Sequence, residues 1–175
     1  MTRRLALIPL GLLVAALALF AVFALRHDPH VTPDALVGHP VPDVRMPSLD
    51  GGPAAPLRTA LGTGPVLINF FASWCAPCAE EQPQLMALRA QGVRIIGVAY
   101  KDDPAAARAF LTRLGDPYSQ VMTDRSGDAG VEFGISGVPE TFLVGANGVI
   151  LAKHTGPMTA ADAESLLETA GRARP

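Results

Sequence analysis

The chain has 175 residues, a formal net charge of −2 and 49% hydrophobic residues, which suits one globular domain and a short additional segment. The lack of a basic excess argues against a nucleic-acid-binding protein. Its 17 glycines and 16 prolines together stay below the roughly 25% that would suggest low-complexity sequence. We therefore expect a packed core.

The amino-terminal segment has the features of a membrane anchor. Arg3 and Arg4 precede residues 5–25, a run without charges that is long enough to cross a bilayer as one helix. A cleaved signal peptide is the alternative, but residues 21–24 make a poor cleavage site. The two arginines place residues 1–4 in the cytoplasm. We expect a single-pass protein of the inner (cytoplasmic) membrane, with its domain on the periplasmic, or extracytoplasmic, side.

A linker and a compact domain are expected after the anchor. The chain is rich in proline and glycine from residue 27 to residue 56, which suits a tether leading into short edge strands. We place the linker at residues 26–40 and the domain at residues 41–175, with a first edge strand within residues 41–49. The apolar run 66–72 reads as a buried strand.

The next segments predict a parallel β-α-β unit. Leucines recur at helical spacing within residues 76–91, Gly92 ends this helix, and Pro83 predicts a kink in it. Apolar residues 93–100 supply the second strand. The remaining predicted elements are a helix ending at Leu114 and capped by Asp102 or Asp103, a strand at 119–123, a helical turn at 128–133, a hairpin of 140–144 and 149–154 around Asn147-Gly148, and a helix at 159–170. This order predicts an α/β fold whose mixed sheet is covered on both faces.

Cys75 and Cys78 are the only cysteines, and they flank Ala76 and Pro77 at the end of the first buried strand. A disulfide that closes so short a loop stabilises a fold by only about 2 kcal/mol, so a working dithiol is favoured over a structural disulfide. A zinc site would need two further ligands, and the histidines show no pairing with the motif. Cys75 at a helix amino terminus should have a depressed pKa and act as the nucleophile, with Cys78 deeper and resolving. An exposed dithiol in an oxidising compartment implies a redox partner.

The sequence leaves the roles of four further features open. Trp74 is either a partly buried aromatic residue or part of a face that docks a substrate. Glu81 is either a solvated acid on the helix surface or a member of the site. Asn69 lies in a strand that looks buried and needs a hydrogen-bond partner there. A cis peptide bond between Val138 and Pro139 is plausible, but the residues alone do not set the isomer.

With these motifs the chain resembles the thioredoxin-fold proteins, which carry a CxxC at the first strand-to-helix turn. Within that fold it is similar to the CcmG/DsbE family of membrane-anchored proteins of cytochrome c biogenesis. The segments that carry the resemblance are residues 74–78, Glu81, 92–103, 115–118 and 137–143. The resemblance implies that Pro139 is cis and packs against the cysteines, and that Glu81 and Glu140 give the site an acidic character that sets partner choice. Asn69 stands where ordinary thioredoxins carry a buried aspartate, so we hypothesise that Glu81 assumes part of that role.

The resemblance also implies a function. Members of this family keep apocytochrome c, or a carrier of it, reduced for haem attachment, with electrons from a membrane thiol transporter. No cofactor beyond the Cys75–Cys78 redox pair is expected, and no metal. Two alternatives are a general anchored reductant for other secreted or copper-site assembly proteins and a copper metallochaperone. Ala76 and Pro77 do not determine the reduction potential, so the direction of electron transfer is inferred from the family resemblance alone.

Overall fold

The computed structural model describes residues 12–20 and 35–172, and residues 12–20 are helical. The predicted stub 1–4 and most of the predicted span 5–25 lie outside the described residues, as do residues 26–34 of the predicted linker. Where the chain is described, no helix combines the length and apolar character needed to cross a membrane. Residues 38 and 39 already belong to the domain, because Gly38 and His39 exchange backbone hydrogen bonds with Ile150.

The domain contains a small two-stranded sheet and a five-stranded mixed sheet. Strands β1 (Arg45–Met46) and β2 (Ala55–Pro56) pair with each other. The larger sheet consists of β3 (Val66–Phe71), β4 (Ile95–Tyr100), β5 (Gln120–Asp124), β6 (Glu140–Val144) and β7 (Ile150–Thr155), in the order β5-β4-β3-β6-β7. Strands β3, β4 and β5 are parallel, whereas β6 and β7 are antiparallel to their neighbours. The predicted β-α-β unit and hairpin are confirmed.

The five helices of the domain are α1 (Arg58–Leu61), α2 (Ala76–Ala90), α3 (Pro104–Leu114), α4 (Asp128–Glu132) and α5 (Ala160–Arg172). The four predicted helices agree with α2 to α5 to within two residues at each end. The sequence did not predict α1. The edge strand expected at 41–49 is limited to β1, since Pro42 and Pro47 remove backbone donors on both sides of it.

The sheet is covered on both faces, as predicted. Leu67 and Phe71 of β3 pack in one core cluster with side chains of α2, α3 and α5. Ile68 and Phe70 point to the other cluster, which contains residues of α1, α4 and the segment around β1. Because side chains alternate along a strand, Asn69 shares the face of Leu67 and Phe71. A polar side chain is thereby aimed at the core under α2.

Candidate active site

Cys75 and Cys78 form a disulfide at the amino terminus of α2. Cys75 is the N-cap residue, and the backbone N–H of Cys78 donates to its Sγ at 3.1 Å. Pro77 lies in the first turn, where its missing N–H costs no helical hydrogen bond. In the reduced protein these first N–H groups and the helix dipole favour a thiolate at Cys75. The predicted position of Cys75 at a helix amino terminus is therefore confirmed, and its role as the nucleophile stays a prediction.

Both cysteines are buried, whereas the residue that precedes them is exposed. Cys75 is 5% exposed and Cys78 is 1% exposed, which agrees with the expectation that Cys78 lies deeper. The neighbouring Trp74 is 60% exposed, and its indole N–H donates to the carbonyl of Lys101 at 3.2 Å. Trp74 is thus a largely exposed side chain next to Cys75, and its part in a face that docks a substrate stays a prediction.

The segment before β6 approaches Cys75 from across the site. The Val138-Pro139 peptide bond is cis, as the family resemblance implied. The carbonyl oxygen of Val138 lies 3.4 Å from Cys75 Sγ. The loop that carries cis Pro139, residues 136–139 (the cis proline loop), and the amino terminus of α2 therefore meet at Cys75 Sγ.

A buried hydrogen-bond network lies one helical turn beyond Cys78. Glu81 is 1% exposed. Its Oε1 accepts from Asn69 Nδ2 at 2.9 Å, and its Oε2 accepts from the backbone N–H of Met158 at 3.0 Å. Asn69 Nδ2 also donates to Thr141 Oγ1 at 3.0 Å, and the hydroxyl of Tyr118 donates to Asn69 Oδ1 at 2.7 Å. The structure thus rules out the solvated reading of Glu81 and supplies the partners that Asn69 required.

Burial controls the proton affinity of Glu81. Loss of hydration raises the pKa of Glu81 from 4.5 to about 7, against the opposing effect of the hydrogen bonds from Asn69 and Met158. Cys78 and Glu81 are three residues apart on the buried side of α2. Because residues at this spacing share one helix face, the arrangement places a carboxyl group with a near-neutral pKa on the same face as Cys78.

Glu140 occupies the opposite face of the sheet. Its Oε2 forms an ion pair with Lys153 Nζ at 2.8 Å, and its Oε1 accepts from the backbone N–H and the hydroxyl of Ser136 at 2.8 and 2.6 Å. The Glu140 side chain is fully buried, so it does not present the exposed acidic group that a direct contact with partners would require. Its contacts instead connect β6, β7 and the segment that carries Pro139.

Three side chains contribute to the site in ways that the sequence did not predict. Asp102 accepts from the backbone N–H and hydroxyl of Ser73 at 2.6 and 2.8 Å and so holds the turn before Cys75. The helix cap is Asp103. The available signal for Asp102 was that a helix needs only one of two adjacent aspartates as its cap. Tyr118 and Thr141 lie in segments that carried the family resemblance, but nothing local marked them as partners of Asn69.

Within the described part of the chain, no group of three or more histidine, cysteine, aspartate or glutamate side chains is placed to hold a metal ion. The two sulfur atoms of the Cys75–Cys78 disulfide lie at the start of α2, with Glu81 and Asn69 in the core behind them. The residues brought together there can attack, resolve and exchange protons in thiol-disulfide chemistry.

Comparisons with known proteins agree with this chemistry. A model of the Redoxin family matches residues 36–169. Thiol:disulfide interchange protein HelX of Rhodobacter capsulatus is 41% identical over 162 residues, which cover 91% of this chain and 90% of HelX. Thiol:disulfide interchange protein DsbE of Escherichia coli K12 is 39% identical over 163 residues, with coverage of 90% and 88%. A solved structure of a protein named as DsbE from Chlorobium tepidum is 29% identical, with a TM-score of 0.64 and coverage of 78% and 96%. The chain is therefore a thiol-disulfide oxidoreductase with a thioredoxin-like fold, and it belongs to the Redoxin family and, within it, to the CcmG/DsbE thiol:disulfide interchange proteins.

Proposed function

We propose that this oxidoreductase is an extracytoplasmic reductant of cytochrome c maturation. It reduces the disulfide of apocytochrome c, or of its carrier, so that haem can be attached to the CxxCH cysteines. A membrane thiol transporter supplies the electrons, and residues 5–25 anchor the protein in the inner membrane. The proposal is supported by membership of the CcmG/DsbE family and by a site in which the nucleophile and a buried proton acceptor lie at the start of one helix.

The exchange proceeds in two displacements. The thiolate of reduced Cys75 attacks one sulfur of the client disulfide, the client S–S bond breaks, and the departing client sulfur takes up a proton. The thiol of Cys78 then loses its proton and attacks Cys75 Sγ, which releases the second client sulfur as a thiolate that takes up a proton. The client has gained two electrons and two protons, and the chain is left with the Cys75–Cys78 disulfide.

The observation that supports the second displacement most directly is the position of Glu81, which can accept the proton that Cys78 must lose. A general base is most effective when its pKa lies near the working pH, and burial raises the pKa of Glu81 to about 7. Glu81 follows Cys78 by three residues on the buried side of α2. We assign to Glu81 the acceptance of the Cys78 proton, directly or through a water molecule, in place of the aspartate that ordinary thioredoxins carry at the position of Asn69.

Trapping of the mixed disulfide tests the proposed client. In the full-length chain, a Cys78→Ser substitution removes the resolving sulfur, so the bond between Cys75 and the client should persist. Isolation from membranes followed by mass spectrometry is expected to recover proteins with a CxxCH sequence or their haem-attachment partners. The Cys75→Ser variant is the matched control and should trap none of them. Recovery of only proteins unrelated to cytochrome c would overturn the assignment in favour of a general reductant.

A further inference from the structure

The Asn69 amide is oriented by three hydrogen bonds. Its Nδ2 group donates to Glu81 and to Thr141, and its Oδ1 accepts from the Tyr118 hydroxyl. The two ends of an asparagine amide have almost the same shape, so the partners determine which end faces which neighbour. Asn69 and Thr141 are fully buried, and water therefore does not compete for these groups.

The orientation of this amide determines which form of Glu81 is favoured. When Nδ2 faces Glu81, the amide gives the carboxylate a donor and stabilises the ionised form. If the amide were turned over, Oδ1 would face Glu81, and only a protonated carboxyl group could then form a hydrogen bond with it. The donor on the far side of Asn69 therefore affects the proton affinity of Glu81 without touching it.

Tyr118 is suited to be that donor because its ring is fixed and its hydroxyl keeps its proton. The ring stacks on Phe71 at a centroid distance of 4.9 Å and lies against Gly97, where an added Cβ atom would come within 2.8 Å of it. Burial raises the pKa of Tyr118 well above its ordinary value, and the carboxylates of Glu81 and Asp116 raise it further. The hydroxyl is therefore a donor throughout the physiological pH range.

We propose that Tyr118 is a positioning residue: by donating its hydroxyl hydrogen to Asn69 Oδ1, it keeps Asn69 Nδ2 turned toward Glu81 and supports the ionised carboxylate on the helix face that also carries Cys78. The link to Cys78 rests on the proposed function, whereas the effect of Tyr118 on Glu81 does not. The inference adds to the site a residue that lies 49 positions from Asn69 in the sequence.

The groups that face Glu81 do not titrate near neutral pH in the oxidised protein, so the titration of Glu81 can be measured without interference from them. Cys78, on the same helix, is bonded to Cys75 and does not titrate in that state. Asn69 and Thr141 are neutral, and the contact from the segment before α5 is the backbone N–H of Met158. Tyr118 remains protonated near neutral pH. A carboxyl signal of Glu81 in the oxidised chain therefore reports on Glu81 itself.

A Tyr118→Phe substitution isolates the hydroxyl because it leaves the stacked ring in place. The pKa of Glu81 should be measured by carbon-13 NMR of its carboxyl group in the oxidised full-length chain, with and without the substitution. Since one hydrogen bond in the network is lost, we expect the pKa to rise by roughly half a unit or more. An unchanged or lowered pKa in Tyr118→Phe would overturn the proposal.

Tyr100 provides a matched control, since it is the other of the chain's two tyrosines and lies at the end of β4. Tyr100→Phe should leave the Glu81 titration as it is in the wild type, and an equal shift in this variant would also refute the specific role of Tyr118. In an Asn69→Ala background, Tyr118→Phe should cause no additional shift, because the hydroxyl acts through Asn69. An additional shift there would show a direct effect on Glu81 and contradict the positioning role.

The titration of Cys78 in the reduced protein separates this inference from the proposed function. If Tyr118→Phe shifts Glu81 and Cys78 follows, both are supported. If Glu81 shifts and the Cys78 curve does not change, Tyr118 still positions Asn69, but the assignment of Glu81 as the acceptor of the Cys78 proton fails.

Discussion

Asn69 Nδ2 donates to Glu81 Oε1 at 2.9 Å, and this hydrogen bond joins the central strand β3 to helix α2 one turn beyond Cys78. Ordinary thioredoxins carry their buried carboxylate on the strand, at the position of Asn69. In this chain the carboxylate is on the helix and the strand supplies a neutral donor. The buried charge is therefore held by a neutral partner, which accounts for the strong dependence of its proton affinity on burial.

Glu81 should make the stability of the domain depend on pH. A carboxyl group whose pKa is raised in the folded state binds its proton more tightly there than in the unfolded chain. Its contribution to stability is therefore complete below about pH 4.5 and is lost as the pH rises through about 7. The loss corresponds to a decrease of the order of 3 kcal/mol in the free energy of unfolding. Urea denaturation at several pH values measures it.

Glu81→Gln provides the comparison, because glutamine does not titrate. The difference in free energy of unfolding between wild type and variant should change in favour of the variant as the pH rises from 4.5 to 7. Glu80→Gln, an exposed substitution on the same helix, should keep the pH dependence of the wild type. A constant difference between wild type and Glu81→Gln across this range would contradict the raised pKa.

The same substitution tests the role of Glu81 toward Cys78. With Glu81 replaced by glutamine, the group proposed to accept the Cys78 proton is gone, and the titration of Cys78 in the reduced protein should change. Carbon-13 NMR of the Cys78 Cβ atom follows this titration directly. Superimposable Cys78 curves for wild type and Glu81→Gln would show that Glu81 takes no part in the proton transfer.

The regular elements were predictable because their signals are local. A few neighbouring residues are enough to predict each of these elements. Examples are the apolar run of β3, the aspartate and proline that start α3, and the Asn147-Gly148 turn. Helix α1 and the pairing of β1 with β2 were not predicted, since prolines and glycines interrupt the apolar pattern there. These short elements form because their leucine and methionine side chains reach the core, which no local pattern reveals.

The candidate site was predictable only in part, for the same reason. The CxxC and a polar residue inside an apolar strand are visible in the sequence, and both Cys75 and Asn69 were identified. Thr141 reaches Asn69 from β6 and Tyr118 reaches it from the segment before β5, so both contacts form only when distant parts of the chain come together. The full burial of Glu140 was also hidden, because its partner Lys153 belongs to the next strand of the hairpin.

Removal of the Lys153 charge should destabilise the domain strongly. Glu140 is fully buried, and the loss of its partner leaves a carboxylate without a compensating positive charge. Such changes typically cost about 3–5 kcal/mol, and we expect Lys153→Met to fall in this range in urea denaturation at neutral pH. Adding Glu140→Gln to this variant should recover part of the loss. The chain's other lysine, Lys101, is exposed, so Lys101→Met should lower the free energy of unfolding much less.

A loss of less than about 1 kcal/mol in Lys153→Met would show that Glu140 is compensated in another way. In that case the connection from β7 to the cis proline loop would not depend on the ion pair. The comparison of single and double variants distinguishes this outcome from a general effect on packing.

Asp102 should stabilise the turn that leads into Cys75. Its carboxylate accepts from the N–H and hydroxyl of Ser73 and from the N–H of Asp103. We expect Asp102→Ala to lower the free energy of unfolding by about 1–3 kcal/mol, because several donors lose their acceptor. Ser73→Ala removes one of these bonds and should cost less. Asp103→Asn preserves the cap of α3 and should leave the free energy of unfolding almost unchanged. Equal losses of stability in all three variants would contradict this account.

The direction of electron transfer is the central claim, and the redox state of Cys75 and Cys78 in the cell tests it most directly. Cells that express the full-length chain are quenched in acid, and free thiols are alkylated with a reagent that adds mass, so that reduced and oxidised forms separate on a gel. A reductant requires the pair to be kept in the dithiol state by its electron donor, and we predict that most of the protein is reduced. A pair that is mostly oxidised in the cell would contradict this account and indicate an oxidase.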